Sequence, residues 1–218
     1  MKAVRDNRFI EIYDLLHTNF GEQNWWPGET PFEIMVGAVL TQNTNWTNVT
    51  KAIDNLRQAN LLDYSCLSRM PVDQLAEYIR PSGYYNLKAG RLHNLLEMID
   101  SCYGGDLDRF LADEIEPARV NLLSVKGVGP ETADSILLYA CGRPVFVIDA
   151  YTHRVLSRHN LVEEETDYYS MQEMMMDHLP ADTQLYNDFH ALFVLVAKQF
   201  CKKTKPLCDK CPLREFNL

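Results

Sequence analysis

The sequence predicts an all-α protein, because apolar residues recur at helical spacing, connections are short and strand patterns are nearly missing. The connections between periodic segments carry Gly, Pro, Asn or Asp, as in residues 81–83 and 104–106. With 218 residues and 46% hydrophobic content, the chain can bury a core as one large domain or as two lobes. The clearest stripes are formed by Phe9, Ile10, Tyr13 and Leu16, and by Leu92, Leu95, Leu96 and Ile99.

Helices are predicted along nearly the whole chain. After the first stripe they are expected at residues 32–40, 47–59, 72–79, 92–99, 107–112, 117–124, 130–141, 150–158, 169–178 and 185–200. The apolar run at residues 145–148 would suit a buried strand, but it has no partner strand, so we expect a buried extended connector between two lobes. The expected lobes are residues 23–144, and residues 1–22 together with 145–218, with a cleft between them.

The apolar content and the charge of the chain argue against several classes of protein. No stretch is long and apolar enough to span a membrane, and the charged residues 1–7 precede no apolar signal core, so we expect a cytoplasmic protein without membrane contact. A net charge of −9 argues against a protein that coats itself with nucleic acid. A basic cluster near the C-terminus is either a DNA-facing surface or a solvated tail, and it contains Lys198, Lys202, Lys203, Lys205, Lys210 and Arg214.

Residues 123–137 are typical of a helix, a tight turn and a second helix. Gly127 and Gly129 permit the positive φ of a sharp turn and leave backbone N–H groups bare, and Pro130 suits the first helical position. The start of such a helix can bind a phosphate without reading base sequence. An ordinary glycine-rich connection between helices is the alternative interpretation.

A single acidic residue follows the turn at the end of the apolar run. Asp149 precedes the segment Ala-Tyr-Thr-His-Arg, so it is a candidate helix N-cap. A capping carboxylate that faces a cleft can also serve in catalysis, so the two roles are compatible.

These motifs together resemble the endonuclease III superfamily of helix-hairpin-helix DNA glycosylases. The resemblance lies in the order L-x-x-V-K-G-V-G-x-x-T-A and then P-x-x-x-x-D-x-x-x-x-R, and it extends through residues 36–44, 82–89 and the C-terminal cysteines. It implies a two-lobed helix-hairpin-helix glycosylase fold, with Asp149 as the catalytic carboxylate that stabilises positive charge on the sugar. A non-catalytic helix-hairpin-helix DNA-binding protein remains the main rival.

The resemblance also implies which residues contact double-stranded DNA that contains a damaged base. Gln42 or Asn43 would fill the space left by the flipped base. Relatives with lyase activity carry a lysine where this chain has Glu131, so we expect a monofunctional glycosylase; Lys126 lies on the wrong side of the turn. The predicted DNA-binding residues are Gln42, Asn43, Lys126, Gly127, Val128, Gly129, Glu131 and Thr132.

Several aromatic residues indicate which damaged base the protein would bind. A base alkylated at a ring nitrogen is cationic, and π-rich walls attract a cation. The segments W-W-P, G-A-V-L-T-Q-N-T and R-P-S-G-Y-Y-N look particularly like 3-methyladenine DNA glycosylases of the endonuclease III type. Oxidised pyrimidines or mispaired adenine are the alternative substrates, and any one tryptophan could be a core residue. The candidate pocket residues are Trp25, Trp26, Pro27, Trp46 and Tyr84.

Three cysteines crowd the C-terminal segment. Cys201, Cys208 and Cys211 match three of the four ligands of the [4Fe-4S] loop found in the family, and the fourth position is Asn217. Zinc with a further ligand, a loop without metal, and a metalloprotein unrelated to DNA are the alternatives. For the oligomeric state of the protein, we expect a monomer.

Overall fold

The computed structural model describes residues 8–23 and 25–216, and over these ranges the chain is helical without a strand. The all-α prediction is therefore confirmed. The α-helices are α1 (Arg8–Phe20), α2 (Pro31–Leu40), α3 (Trp46–Gln58), α4 (Tyr64–Leu67), α5 (Val72–Tyr78), α6 (Tyr85–Tyr103), α7 (Leu107–Leu111), α8 (Ile115–Ser124), α9 (Pro130–Ser135), α10 (Ala150–Arg158), α11 (Tyr168–His178) and α12 (Thr183–Gln199). Two 3-10 turns lie at Arg80–Ser82 and Cys208–Lys210, and a π-helical turn at Ile136–Ala140 continues α9.

Most helices begin where the sequence supplies a capping side chain. Thr30 accepts from the N–H of Glu33 at the start of α2, and Asn45 accepts from the N–H of Asn48 at the start of α3. Asp63 caps α4, a four-residue helix that sequence periodicity missed because it is too short to show a stripe.

The chain divides into two compact units. One is Trp26–Arg143, and the other combines the chain up to Trp25 with the chain from Pro144 onwards. In the first unit, α2 packs against α3, α6 and the π-helical turn. Its side chains are buried on all sides from Met35 to Leu40, as expected for a central helix.

The second unit is built on α12, which packs against α1 and α10. Its core contains stacked rings of Phe189 and Phe193, with the edge of Phe146 against Phe189. Residues 145–148 are fully buried and form no strand, so the chain here is a buried connector as expected. The Phe146 carbonyl is satisfied by the Gln172 side-chain amide, which donates to it over 2.7 Å.

No helix in the described part of the chain combines the length and the apolar character needed to cross a membrane.

Candidate active site and DNA-binding elements

Asp149 caps the N-terminus of α10, as its place in the sequence predicts. Its Oδ1 accepts hydrogen bonds from the backbone N–H of Tyr151 at 3.0 Å and of Thr152 at 2.7 Å. Two N–H donors at a helix start fix the carboxylate and favour its charged form. Only 12% of the side chain is exposed, so the carboxylate is held rigidly with a small part accessible.

The second oxygen of this carboxylate faces a histidine. Oδ2 of Asp149 lies 3.6 Å from Nε2 of His190, which is buried on α12. Burial by itself raises the pKa of Asp149, but the nearby imidazole of His190 and the hydrogen bonds from Thr152 outweigh it, so the pKa lies below the ordinary 3.8. Asp149 is therefore an anion at neutral pH. His190 was not predicted, since nothing in its local sequence sets it apart.

The predicted hairpin is present between α8 and α9. Gly127 has φ +98°, a conformation that favours glycine, and Pro130 opens α9. The expectation of a positive φ at Gly129 was wrong: its φ is −98°, because it occupies the extended N-cap position of α9. A Cβ built at Gly129 meets nothing within 4 Å, so glycine there keeps the backbone open to a ligand.

The hairpin residues differ in exposure. Lys126, Gly127, Gly129 and Glu131 are exposed, whereas Val128 is buried. Val128 thus anchors the turn in the core while the flanking backbone stays accessible. Thr132 is also buried, so its hydroxyl acts within the protein.

Gln42 is bonded to the hairpin. Its Nε2 donates to the Gly127 carbonyl at 3.1 Å and to Oγ1 of Thr132 at 2.9 Å. Its Oε1 accepts from the guanidinium of Arg91 on α6. Asn43, in contrast, is exposed and adopts a left-handed backbone with φ +54°. The loop after α2 is therefore tied to the hairpin by Gln42 and presents Asn43 to solvent.

A buried lysine supports the same loop. Lys88 on α6 is 1% exposed, and its Nζ donates to the carbonyls of Leu40 and Ser82, each at 2.7 Å. Burial, with a smaller effect of Arg91, lowers the pKa of Lys88 to about 8. Lys88 was not predicted as a functional residue, although the stripe that begins at Leu92 places it on the buried face one turn earlier.

Two of the predicted tryptophans form one aromatic group. The rings of Trp26 and Trp46 meet edge to face with centroids 5.1 Å apart, and Trp26 lies 5.2 Å from the ring of Tyr139. Gly37 lies directly against this group, since a Cβ there would approach Nε1 of Trp26 to 3.3 Å. Tyr139 was not predicted, because it lies far from both tryptophans in the sequence.

The other predicted pocket residues differ in placement and exposure. Trp25 belongs to the second compact unit, and Pro27 is exposed. Tyr84 is 71% exposed and has a left-handed backbone with φ +46° directly before α6. A large exposed ring on a strained backbone is suited to contact with a ligand outside the protein rather than to packing.

The three C-terminal cysteines line one cavity. Cys201 and Cys211 are buried and Cys208 is exposed, around a cavity of about 130 Å³ that Arg158 also lines. Burial raises the pKa of the Cys211 thiol, and the nearby thiols of Cys201 and Cys208 raise it further. Within residues 8–23 and 25–216, no group of three or more His, Cys, Asp or Glu side chains is arranged to hold a metal ion. The predicted fourth position, Asn217, lies outside the described residues.

Comparisons by sequence and by structure both find DNA repair proteins that are similar to this chain. The family model described as HhH-GPD superfamily base excision DNA repair protein matches residues 36–180. A Methanocaldococcus jannaschii protein with the provisional name DNA repair glycosylase is 46% identical, over 99% of both chains.

Two solved structures share the fold. A Helicobacter pylori 3-methyladenine DNA glycosylase bound to 1,N6-ethenoadenine superposes with a TM-score of 0.78 at 32% identity, over 88% of this chain and 97% of the other. An endonuclease III in a non-covalent DNA complex superposes with a TM-score of 0.80 at 22% identity, over 97% and 94% of the two chains. The predicted helix-hairpin-helix glycosylase fold is thereby confirmed.

Proposed function

Because this chain belongs to the HhH-GPD superfamily of base excision DNA repair proteins, we propose that it is a monofunctional DNA glycosylase for alkylated purines such as 3-methyladenine. The observation that carries the proposal is the carboxylate of Asp149. It is held by the N–H groups of Tyr151 and Thr152, and its pKa is lowered, so it is a fixed anion.

A fixed anion suits hydrolysis of an N-glycosidic bond. As the base departs, positive charge builds on the deoxyribose, and a carboxylate beside the sugar stabilises that charge. The same carboxylate can orient a water molecule or take its proton as the water attacks the sugar carbon. Since two backbone N–H groups already orient Oδ1 of Asp149, little reorganisation is needed during the reaction.

An alkylated purine suits the aromatic group of Trp26, Trp46 and Tyr139. A ring-alkylated purine carries positive charge, which makes it a good leaving group and an attractive partner for indole faces. The Helicobacter pylori relative binds 1,N6-ethenoadenine, an adenine with carbons added at ring and exocyclic nitrogens. Trp25, Pro27 and Tyr84 complete the proposed base-contacting set, with Tyr84 acting from the exposed surface.

Glu131, the residue after Pro130, is the reason to expect hydrolysis without strand cleavage. A lyase needs an amine that forms a Schiff base with the sugar, and Glu131 has none. Lys88 cannot replace it, because its Nζ is buried and bonded to two carbonyls.

The proposed partner is double-stranded DNA, bound by a monomer. The hairpin backbone at Gly127 and Gly129 would grip a phosphate, and Asn43 would fill the space of the flipped base while Gln42 holds the loop.

We also propose a [4Fe-4S] cluster in the C-terminal loop. The proposed ligands are Cys201, Cys208 and Cys211, which line one cavity although their thiols are not arranged around a metal ion among the described residues. When bound, the cluster would fix a DNA-contacting loop rather than take part in base release. Anaerobically purified protein should contain iron and inorganic sulfide in equal amounts; protein without iron contradicts this assignment.

The alternative substrates are oxidised pyrimidines and mispaired adenine, and the alternative class is a non-catalytic DNA-binding protein. A panel of duplexes with 3-methyladenine, 1,N6-ethenoadenine, thymine glycol or mispaired adenine, with analysis of released bases, distinguishes them. We expect alkylated adenines to be released with the strand left intact. Release of thymine glycol or adenine alone contradicts the alkylpurine assignment, and binding without release of any base contradicts the enzyme.

A further inference from the structure

Arg91 on α6 lies across the turn of the hairpin. A Cβ built at Gly127 would come within 2.5 Å of Cγ and 2.9 Å of Nε of Arg91, so the arginine stem packs directly on the glycine. One turn later, the Asn94 amide donates to the Lys126 carbonyl at 3.0 Å. One face of α6 therefore holds the hairpin through Arg91 and Asn94.

We propose that Arg91 binds a phosphate of the DNA backbone beside the hairpin, with Gln42 as the residue that orients its guanidinium. The proposal rests on the proposed function only in taking DNA as the partner, and it adds a charged contact to the uncharged backbone donors of the turn. Nothing in the sequence pattern of the hairpin itself indicates this residue, because Arg91 precedes the turn by more than thirty positions.

The charge of Arg91 lacks a counter-ion in the described part of the chain. No carboxylate there lies within 4.0 Å of its guanidinium, whereas Arg57, Arg80 and Arg119 each pair with an acid. Lys88 and Lys126 add positive charge to the same region. On a chain with a net charge of −9, a half-buried arginine without a carboxylate partner is suited to an anionic ligand.

The guanidinium also has donors to spare. Of its five N–H groups, one is bonded to Oε1 of Gln42, and no other hydrogen bond of Arg91 occurs among the described residues. Because Gln42 is itself fixed by Gly127 and Thr132, the guanidinium is oriented before a ligand arrives. The remaining N–H groups can bind phosphate oxygens, and arginine often binds them in bidentate fashion.

The test measures binding to a duplex with a tetrahydrofuran abasic-site analogue, over a series of salt concentrations. Each phosphate contact contributes about 0.9 to the slope of log K against log salt. Arg91→Gln should lower that slope by about 0.9 and weaken binding by about tenfold. Arg91→Lys should retain the slope, and Arg109→Gln, which removes an exposed charge from α7, should match wild type.

The outcomes separate a phosphate contact from a packing role. An unchanged slope in Arg91→Gln overturns the proposal even if affinity falls, because loosening the hairpin does not remove a counter-ion. An equal loss of slope in Arg91→Lys or in Arg109→Gln also overturns it. Binding is measured without base release, so these results do not depend on Asp149. Failure of the wild-type protein to bind the duplex would instead overturn the proposed function.

Discussion

Nε2 of His190 lies 3.6 Å from Oδ2 of Asp149, while Oδ1 of the same carboxylate accepts from two backbone N–H groups at the start of α10. One oxygen of the carboxylate is therefore hydrogen-bonded, and the other faces the imidazole. Burial raises the pKa of Asp149, and these contacts more than offset that effect. His190 is a positioning residue, since it acts through Asp149.

Replacing His190 should change the pH dependence of base excision. In His190→Leu, burial of Asp149 is no longer opposed by the histidine, so the pKa of Asp149 rises and the acidic limb of the single-turnover rate moves toward neutral pH. We expect the loss of rate relative to wild type to be greatest at acidic pH and to recover as the pH rises. His190→Gln retains a donor and should shift the limb less.

A His190→Leu profile that parallels wild type would show that the histidine does not act on Asp149. The free energy of unfolding should also depend on pH through Asp149. Its pKa in the folded protein is below 3.8, so its ionised form stabilises the fold above that pH. This contribution is lost as the pH falls through the lowered value.

Changing Glu131 to lysine should introduce covalent trapping. Glu131 is exposed in the first turn of α9, so a lysine there supplies the amine that the wild type lacks. Borohydride should trap Glu131→Lys on damaged DNA but not the wild type. Ser124→Lys, which places an exposed lysine at the end of α8, is the control. Trapping of the wild type would disprove a monofunctional enzyme. If Glu131→Lys is not trapped, residue 131 does not lie beside the sugar.

Changing Trp26 should alter the choice of base. Trp26→Leu keeps an apolar side chain but removes the π face, which is worth about 0.5–2 kcal/mol to a cation. The preference for cationic 3-methyladenine over neutral 1,N6-ethenoadenine should therefore fall by about 2- to 30-fold. Trp46→Phe retains a π face and should change the preference less. An unchanged ratio in Trp26→Leu would show that this ring does not contact the base.

Changing Lys88 should destabilise the fold. Lys88→Met leaves the buried carbonyls of Leu40 and Ser82 without their charged donor, at a cost of about 2–4 kcal/mol in the free energy of unfolding. Urea denaturation at neutral pH measures it. In the wild type, the lowered pKa of about 8 means that this residue's contribution to stability rises between pH 8 and the ordinary 10.5. Equal stability of Lys88→Met and wild type would contradict the bonding described.

Features that depend on neighbouring residues could be read from the sequence. The helices follow from apolar spacing, and Asp149 was recognisable as a cap because its partners are two and three residues away. The sequence allowed a positive φ at both Gly127 and Gly129, and only Gly127 has one, because Gly129 is the N-cap of α9.

Features that join distant segments could not be predicted. Gln42 meets Gly127 across 85 positions, and Lys88 meets Leu40 across 48. Tyr139 meets Trp26 across more than a hundred positions of the sequence. Periodicity identifies the buried face of a helix but not the helix that covers it. The partners of Gln42 and Lys88 could therefore be identified only from the structure.

The most direct test of the central claim is the single-turnover release of 3-methyladenine by Asp149→Asn under saturating enzyme. Asparagine keeps the shape of the side chain and can still cap α10, so folding and abasic-DNA affinity should match wild type. We predict that the release rate falls by at least about 100-fold. A rate equal to that of wild type, with binding intact, would contradict the assignment of Asp149 as the catalytic anion.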